Sequence, residues 1–189
     1  MYAAAISLFV EKGFDSTTMD DIAERADVAR ATVFNHFPRK AAFIDEWTTR
    51  RRERAAVALR IDDLEGAPLR SVLKRYFTAM CAISQANAAS RRETVALMNA
   101  AVHSTNVLSR SDMSEDVSRL AAHARKNGEL GAKADPNLIG MLAVSAYLTV
   151  LIEWISDDPA PFTLSDKVAA TIDLLLDGVA PADPETPER

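Results

Sequence analysis

The sequence predicts an all-α protein, in which an N-terminal helix-turn-helix domain of three helices is followed by a larger helical domain. Apolar residues recur at the helical spacing of three and four along nearly the whole chain. Alternating runs typical of strands, and the Asn-Gly turn of a hairpin, are absent from the sequence. The division that these patterns favour is 1–46 for the first domain and 47–189 for the second.

The first helix is predicted from one apolar face and a glycine stop. Ile6, Phe9 and Val10 are spaced to line the inner face. Gly13 then ends the helix, because glycine is the usual residue just past a helix C-terminus.

Two short helices follow, joined by a tight turn. Thr18 is the expected N-cap of a helix over 19–25, and Asp21 completes a capping box in which Asp replaces Glu. The next helix is predicted over 30–37, since Pro38 disfavours helix in the residue before it. Two helices with such a turn form a helix-turn-helix layout.

The remaining helices are predicted by the same periodicity, interrupted by Gly and Pro. The helix after Gly66-Ala67-Pro68 carries apolar residues from Leu69 to Met80. The expected bounds of the others are 41–61, 90–105, 114–127, 136–156 and 164–178.

Composition places the chain among soluble globular proteins. Of 189 residues 48% are hydrophobic, and the net charge is −5. Residues 1–54 hold nine basic and nine acidic residues, so the acidity belongs to the rest of the chain. Cys81 is the only cysteine, which excludes an intrachain disulfide and favours a reducing, cytoplasmic location.

One apolar segment, 138–155, has the length of a marginal membrane span. Ser145, Thr149 and Glu153 recur every four residues and draw a polar line along it. This pattern favours a buried helix of a soluble protein, so we expect no membrane association.

The charge pattern of the third helix predicts a DNA-facing surface. The stretch 30–40 carries Arg30, Arg39 and Lys40, and no acid occurs between Asp27 and Asp45. Carboxylates there would repel phosphates. A recognition helix presents its N-terminal residues to base edges, where arginine can donate twice to guanine.

The stretch 13–47 resembles the N-terminal DNA-binding domain of TetR-type transcriptional regulators. It shares the Gly-Phe start, the Thr-Thr pair, Ile-Ala-x-x-Ala, Thr-Val-Phe and His-Phe. The C-terminal half is similar through its helix order and the segment 127–148. The resemblance implies a ligand-responsive regulator, most often a repressor and not an enzyme. It would bind a palindromic double-stranded DNA operator as a homodimer, and a small-molecule effector would release it.

The resemblance also implies roles for individual residues. Thr18 and Lys40 would contact phosphate, while Arg30 and Ala31 would face base edges. The residues expected along the groove and backbone are Thr32, Phe34, Asn35 and His36. Three positions depart from the family pattern: Asp27 replaces the usual glycine of the turn, Ala29 a serine cap, and Phe34 a tyrosine.

The second domain is expected to dimerise and to bind the effector. The helix 136–156 is apolar on nearly all sides, and 164–178 carries an apolar stripe, so both are expected to meet a symmetry mate. The alternative is a thick core within a single chain. The predicted interface consists of Leu142, Leu148, Ile152, Leu164, Val168, Ile172 and Leu175. The resemblance implies an effector pocket, for which the candidate residues are Tyr76, Phe77, Met80, Met98, Asn99, His103, Tyr147 and Leu151. The alternative is that these residues form plain core.

Other readings stay open at this point. Four arginines over 50–54 suggest a second basic patch, but helical geometry spreads them, so a solvated face is expected. Motifs of hydrolases, metalloproteases and phosphate loops are absent, and no cofactor or metal site is expected. A helical carrier of small molecules or lipids that does not bind DNA is the alternative function.

Overall fold

The computed structural model describes residues 1–58, 66–104 and 112–178, with only the backbone for residues 58 and 102–104. Within these ranges all the regular secondary structure is α-helical, and the helices are joined by turns and loops. The helices, α1 to α9 in order, are Tyr2–Lys12, Met19–Arg25, Arg30–His36, Ala41–Ala58, Leu69–Gln85, Ala88–Ser104, Asp112–Lys126, Pro136–Ser156 and Leu164–Asp177. The predicted fold class is confirmed. The expected extension of α4 to residue 61 lies outside the described residues.

The chain divides into two compact units, and neither is one continuous stretch. The first comprises Met1–Arg54 and Ala82–Ser109, and the second comprises Ala55–Cys81 and Arg110–Arg189. The first unit therefore contains the helix-turn-helix together with α6. The second unit contains α7, α8 and α9.

Aromatic rings form much of the core of the first unit. Phe9 of α1 contacts Phe14 and Phe43, with ring centroids 5.0 and 6.2 Å apart. Phe37, the residue after α3, stacks on Phe43 at 3.9 Å. These rings hold α1, the end of α3 and the start of α4 together, which positions the outer face of the helix-turn-helix.

The prediction for the inner face of α1 is partly wrong. Ile6 and Phe9 are buried, but Val10 is 38% exposed. Ala5 and Leu8 are buried instead, so the buried face is turned away from Val10. The periodicity of a single helix leaves this rotation open by about one position, because either neighbour of a buried residue can border the core.

Arg51 also departs from the prediction of a solvated basic face. Its side chain is 5% exposed, and one of its terminal nitrogens donates to Ser84 Oγ at 2.7 Å. Its guanidinium also lies 4.7 Å from the ring centre of Trp47. A buried arginine needs such partners, because an uncompensated charge in the interior is costly.

The core of the second unit is built around α8. Asp135 caps the helix, accepting a hydrogen bond from the backbone N–H of Asn137 at 2.9 Å, and Pro136 occupies its first position. By length and composition α8 could cross a membrane, yet 56% of its apolar window is buried inside the chain. The core helix of a soluble protein passes the same test.

The apolar stripe of α9 faces inward. Leu148, Leu164, Val168 and Ile172, four of the residues predicted to form a dimer interface, are buried within the chain. That part of the prediction is wrong, because Leu148 of α8 and the α9 stripe already pack within the same chain. Leu142 and Ile152, also predicted, are 40% and 41% exposed. Leu175 is half-buried.

Candidate nucleic-acid interface

The start of α2 is fixed by a reciprocal capping box. Thr18 Oγ1 accepts the backbone N–H of Asp21 at 3.1 Å, and the Asp21 carboxylate accepts the N–H of Thr18 at 2.7 Å. The Thr18 backbone bond, followed by the Lys12 side chain, lowers the pKa of Asp21 to about 2. The carboxylate is therefore charged throughout the neutral range. The Thr18 hydroxyl remains exposed, and its own proton is still available to a phosphate.

The turn between α2 and α3 closes as the sequence predicts. Asp27 has φ of 52°, in the left-handed region where glycine is usual. The N–H of Val28 donates to Ala23 O and the N–H of Asp27 to Glu24 O, both at 3.1 Å. These two bonds make a Schellman motif, which satisfies the last carbonyls of α2. The substitution of aspartate for glycine is thus accommodated.

The third helix, α3, is held to the core by one buried side chain and exposes its other face to solvent. Val33 is fully buried. The predicted DNA-contacting residues Arg30, Ala31, Phe34, Asn35 and His36 are exposed, and Thr32 is half-buried. Ala29, the N-cap, provides no side-chain hydrogen bond, as expected from its sequence. The outer surface of α3 is therefore open along its length while a single valine holds it to the core.

In the folded structure, each arginine of the stretch 30–40 lies beside a carboxylate from another part of the chain. Arg30 Nε lies 3.0 Å from a carboxylate oxygen of Asp20 in α2, and Arg39 lies 2.9 Å from Asp45 in α4. The sequence interval without acids therefore does not produce a face without acids. All four side chains are more than half exposed, so both pairs are weak and can exchange for phosphate or base contacts.

Lys40 is held by the loop that precedes α2. Its ammonium donates to the carbonyl oxygens of Phe14 at 2.6 Å and Asp15 at 3.2 Å, and lies 4.5 Å from the Phe14 ring centre. This arrangement indicates a structural clamp that the sequence did not reveal. A phosphate contact by Lys40 stays a prediction.

His36 is bonded to its own helix. In the tautomer protonated at Nδ1, the ring donates to the Thr32 carbonyl oxygen at 2.9 Å. Within the described part of the chain, no three His, Cys, Asp or Glu side chains group at metal-binding distance. A hydrogen bond from His36 to a DNA phosphate would require Nε2 to be protonated as well, because a phosphate oxygen only accepts.

Asp20→Asn is expected to increase the affinity for an operator duplex about two- to fivefold at low salt, which is the range an exposed ion pair can supply. The substitution releases Arg30 and removes a negative charge beside the face of α3. Fluorescence anisotropy with a labelled duplex measures the change. Glu24→Gln removes the same charge from the exposed surface of α2 and is the control. An equal increase in Glu24→Gln would show that release of Arg30 is not the cause.

The residues predicted for the effector pocket are divided between the two units. Tyr76, Phe77, Met80, Tyr147 and Leu151 are buried residues of the second unit, where the Phe77 and Tyr147 rings lie 5.3 Å apart. These contacts are those of a packed core.

The other three predicted pocket residues lie on α6 of the first unit. Met98 is buried there, whereas Asn99 is exposed, which does not suit a buried polar anchor. The side chain of His103 lies outside the described residues. The pocket as a whole stays a prediction.

Comparison with known proteins bears on the same region. Residues 2–47 match the family of bacterial regulatory proteins called the tetR family. Over 42 residues the chain is 52% identical to an uncharacterized HTH-type transcriptional regulator, YdeS, of Bacillus subtilis, covering 22% of this chain and 21% of YdeS. Over the same length it is 43% identical to IcaR of Staphylococcus aureus, a negative transcriptional regulator of the biofilm operon icaADBC, covering 22% and 23%. The matched region is thus about a fifth of each relative.

The fold of the whole chain is similar to that of a solved regulator. Thermus thermophilus FadR, a TetR-family transcriptional repressor solved in complex with lauroyl-CoA, superposes with a TM-score of 0.70. The match covers all of this chain and 97% of FadR at 21% identity, so it concerns the fold alone. Together, the helix-turn-helix geometry and the family match identify residues 2–47 as a domain of the tetR family of bacterial regulatory proteins.

Proposed function

We propose that this protein is a ligand-responsive transcriptional regulator, with residues 1–46 as its DNA-binding domain and 47–189 as its effector-binding and dimerisation domain. The open outer face of α3 is the observation that carries this proposal. Arg30 and Ala31 lie in its first turn, where a recognition helix meets base edges, and both are exposed. The relative IcaR is named a negative regulator, which supports repression as the mode of action.

Exposed apolar residues on α8 support a homodimer. Leu138, Met141, Leu142 and Ile152 are between 40% and 48% exposed, and on α9 Leu174 is 76% exposed. Exposed apolar residues that recur along one helix mark a protein interface more often than a free surface. A twofold axis near these residues suits a palindromic operator, because paired recognition helices then read two equivalent half-sites.

Leu142→Glu is expected to convert the dimer into a monomer, because it would place two carboxylates near the twofold axis in an apolar contact. Sedimentation velocity measures the mass, and anisotropy the binding to a full operator. Val57→Glu, at an apolar side chain 80% exposed on α4, is the matched control and should remain dimeric. A dimeric Leu142→Glu would contradict the proposed interface.

A small molecule is proposed to control the affinity for DNA. The effector would favour a state whose recognition helices are wrongly spaced, and would lower operator affinity by its differential binding free energy for the two states. FadR of Thermus thermophilus was solved with lauroyl-CoA, so a fatty acyl-CoA is a reasonable first compound to test in this chain.

The proposal is tested by titrating the protein onto labelled duplexes from its own upstream region at several salt concentrations. Saturable binding to one duplex, with a footprint on a palindrome and a steep decrease with salt, is the expected result. If a folded dimer binds all duplexes equally and weakly, a specific operator in its own upstream region is excluded. A carrier function without DNA binding then becomes the better reading.

A further inference from the structure

The first unit contains an open cleft that the proposed function does not use. It lies between α1, α4 and α6, and its cavity volume is about 600 Å³. This size falls within the range of about 300–1,000 Å³ that small-molecule sites have. All of its lining residues belong to the first unit. They include four arginines: Arg50, Arg51, Arg54 and Arg92.

Two of these arginines are already bonded. Arg51 is buried and donates to Ser84, as described above. Arg50 donates to Glu46 at 2.7 Å, and its guanidinium lies 4.1 Å from the Tyr2 ring centre. Both side chains are therefore held in place at the wall of the cleft.

The positive charges of the other two arginines are not paired with a carboxylate in the described part of the chain. Among the described residues, Arg54 and Arg92 make no hydrogen bond or ion pair. Only two carboxylates line the cleft against its four arginines. Glu11 is 2.9 Å from Arg25 outside the cleft, whereas Glu93, which accepts the indole N–H of Trp47 at 2.8 Å, keeps its negative charge. The cleft therefore has a surplus of positive charge that suits an anion.

The rest of the wall is apolar. Ile6, Val10 and Ile83 line the cleft together with Trp47. Val10, expected in the core, is instead an exposed part of this wall. The Tyr2 phenol is neutral at neutral pH even at its ordinary pKa, and burial raises that pKa to about 12, so Tyr2 does not repel an anion.

We propose that this cleft binds a small organic anion with a carboxylate or phosphate head and an apolar body. Arg54 and Arg92 hold the head, since guanidinium groups bind both kinds of oxyanion through paired hydrogen bonds. The apolar body packs against Trp47, Ile6 and Val10. Its walls include α1 and α4, which flank the helix-turn-helix, so occupancy can be linked to operator affinity. That link depends on the proposed function, but the binding does not.

Trp47 provides a direct measurement of binding. The chain has two tryptophans, so Trp154→Phe leaves Trp47 as the only reporter. Its fluorescence is titrated with decanoate, decyl phosphate and decanol, which share one chain length and differ in the head. Saturable binding of either anion at below about 1 mM, and weaker binding of decanol, is expected. Calorimetry on the unaltered chain repeats the titration without the Trp154 substitution. Absence of binding by both anions, or equal binding of decanol, would overturn the proposal.

The arginines are tested as a pair against a matched pair. Arg54→Gln/Arg92→Gln is expected to raise the Kd of the bound anion about tenfold, because two charge-assisted contacts are lost. Arg52→Gln/Arg119→Gln removes the same charge outside the cleft and should change the Kd by less than about twofold. Equal weakening in both double variants would mean that net charge alone attracts the anion, and the site would be rejected. These titrations contain no DNA, so their failure is distinct from failure of the regulator proposal.

Discussion

Arg30→Ala is expected to weaken binding of the proposed dimer to the proposed operator by about 30-fold or more. A well-placed arginine discriminates its base by about 1–3 kcal/mol, and a dimer loses this contribution twice. Arg30 is exposed at the first turn of α3, and its only ion pair in the described chain is the exposed one to Asp20. Little free energy is therefore needed to move it from Asp20 to a base. Anisotropy titrations on the operator and on a scrambled duplex measure the effect.

Arg39→Ala is the matched variant for this measurement. Arg39 lies just beyond α3 and has a comparable ion pair, to Asp45. Arg39→Ala is expected to weaken binding to the operator and to the scrambled duplex alike, because a charge near the DNA backbone acts on phosphate and carries no sequence information. Arg30→Ala should lower the ratio of specific to non-specific affinity as well. If both variants leave that ratio unchanged, Arg30 does not read bases.

Gly140→Ala is expected to lower the free energy of unfolding by about 2 kcal/mol, although alanine is the better helix former by about 1 kcal/mol. A Cβ at this position of α8 would lie 2.5 Å from Ser114 O and 3.0 Å from Ser118 N, and closer still to Ser118 Oγ. Two of these atoms belong to the backbone of α7, so relief of the contact requires the helices to move apart. Urea denaturation followed by circular dichroism measures the change.

Gly178→Ala is the control for this substitution. A Cβ there would meet its nearest atom at 3.6 Å, an ordinary contact, so the free energy of unfolding should stay within about 0.5 kcal/mol. Ser118→Ala in the Gly140→Ala background should restore only part of the loss, since the carbonyl oxygen of Ser114 remains. A Gly140→Ala chain as stable as the parent would show that α7 and α8 can separate at no cost.

Local interactions made several features predictable from the sequence. The capping box of Thr18 and Asp21 is confirmed, and so are the tight turn after α2 and the bounds of α8 at Pro136–Ser156. Each of these is decided within about four residues along the chain, where the covalent sequence itself determines which groups can meet. The exposed residues of α3 follow for the same reason, once Val33 is identified as the inner side.

What the sequence could not decide depends on a second helix. The partners of Arg30 and Lys40 come from residues ten or more positions away, and burial of Arg51 depends on Ser84 of α5. The apolar pattern of α9 is the same whether the helix packs within its own chain or against a partner. The pattern of α1 likewise allows Val10 to border either the core or a cleft. Periodicity determined that these helices have apolar faces, but only tertiary packing decided what each face meets, because that choice is made by residues distant in sequence.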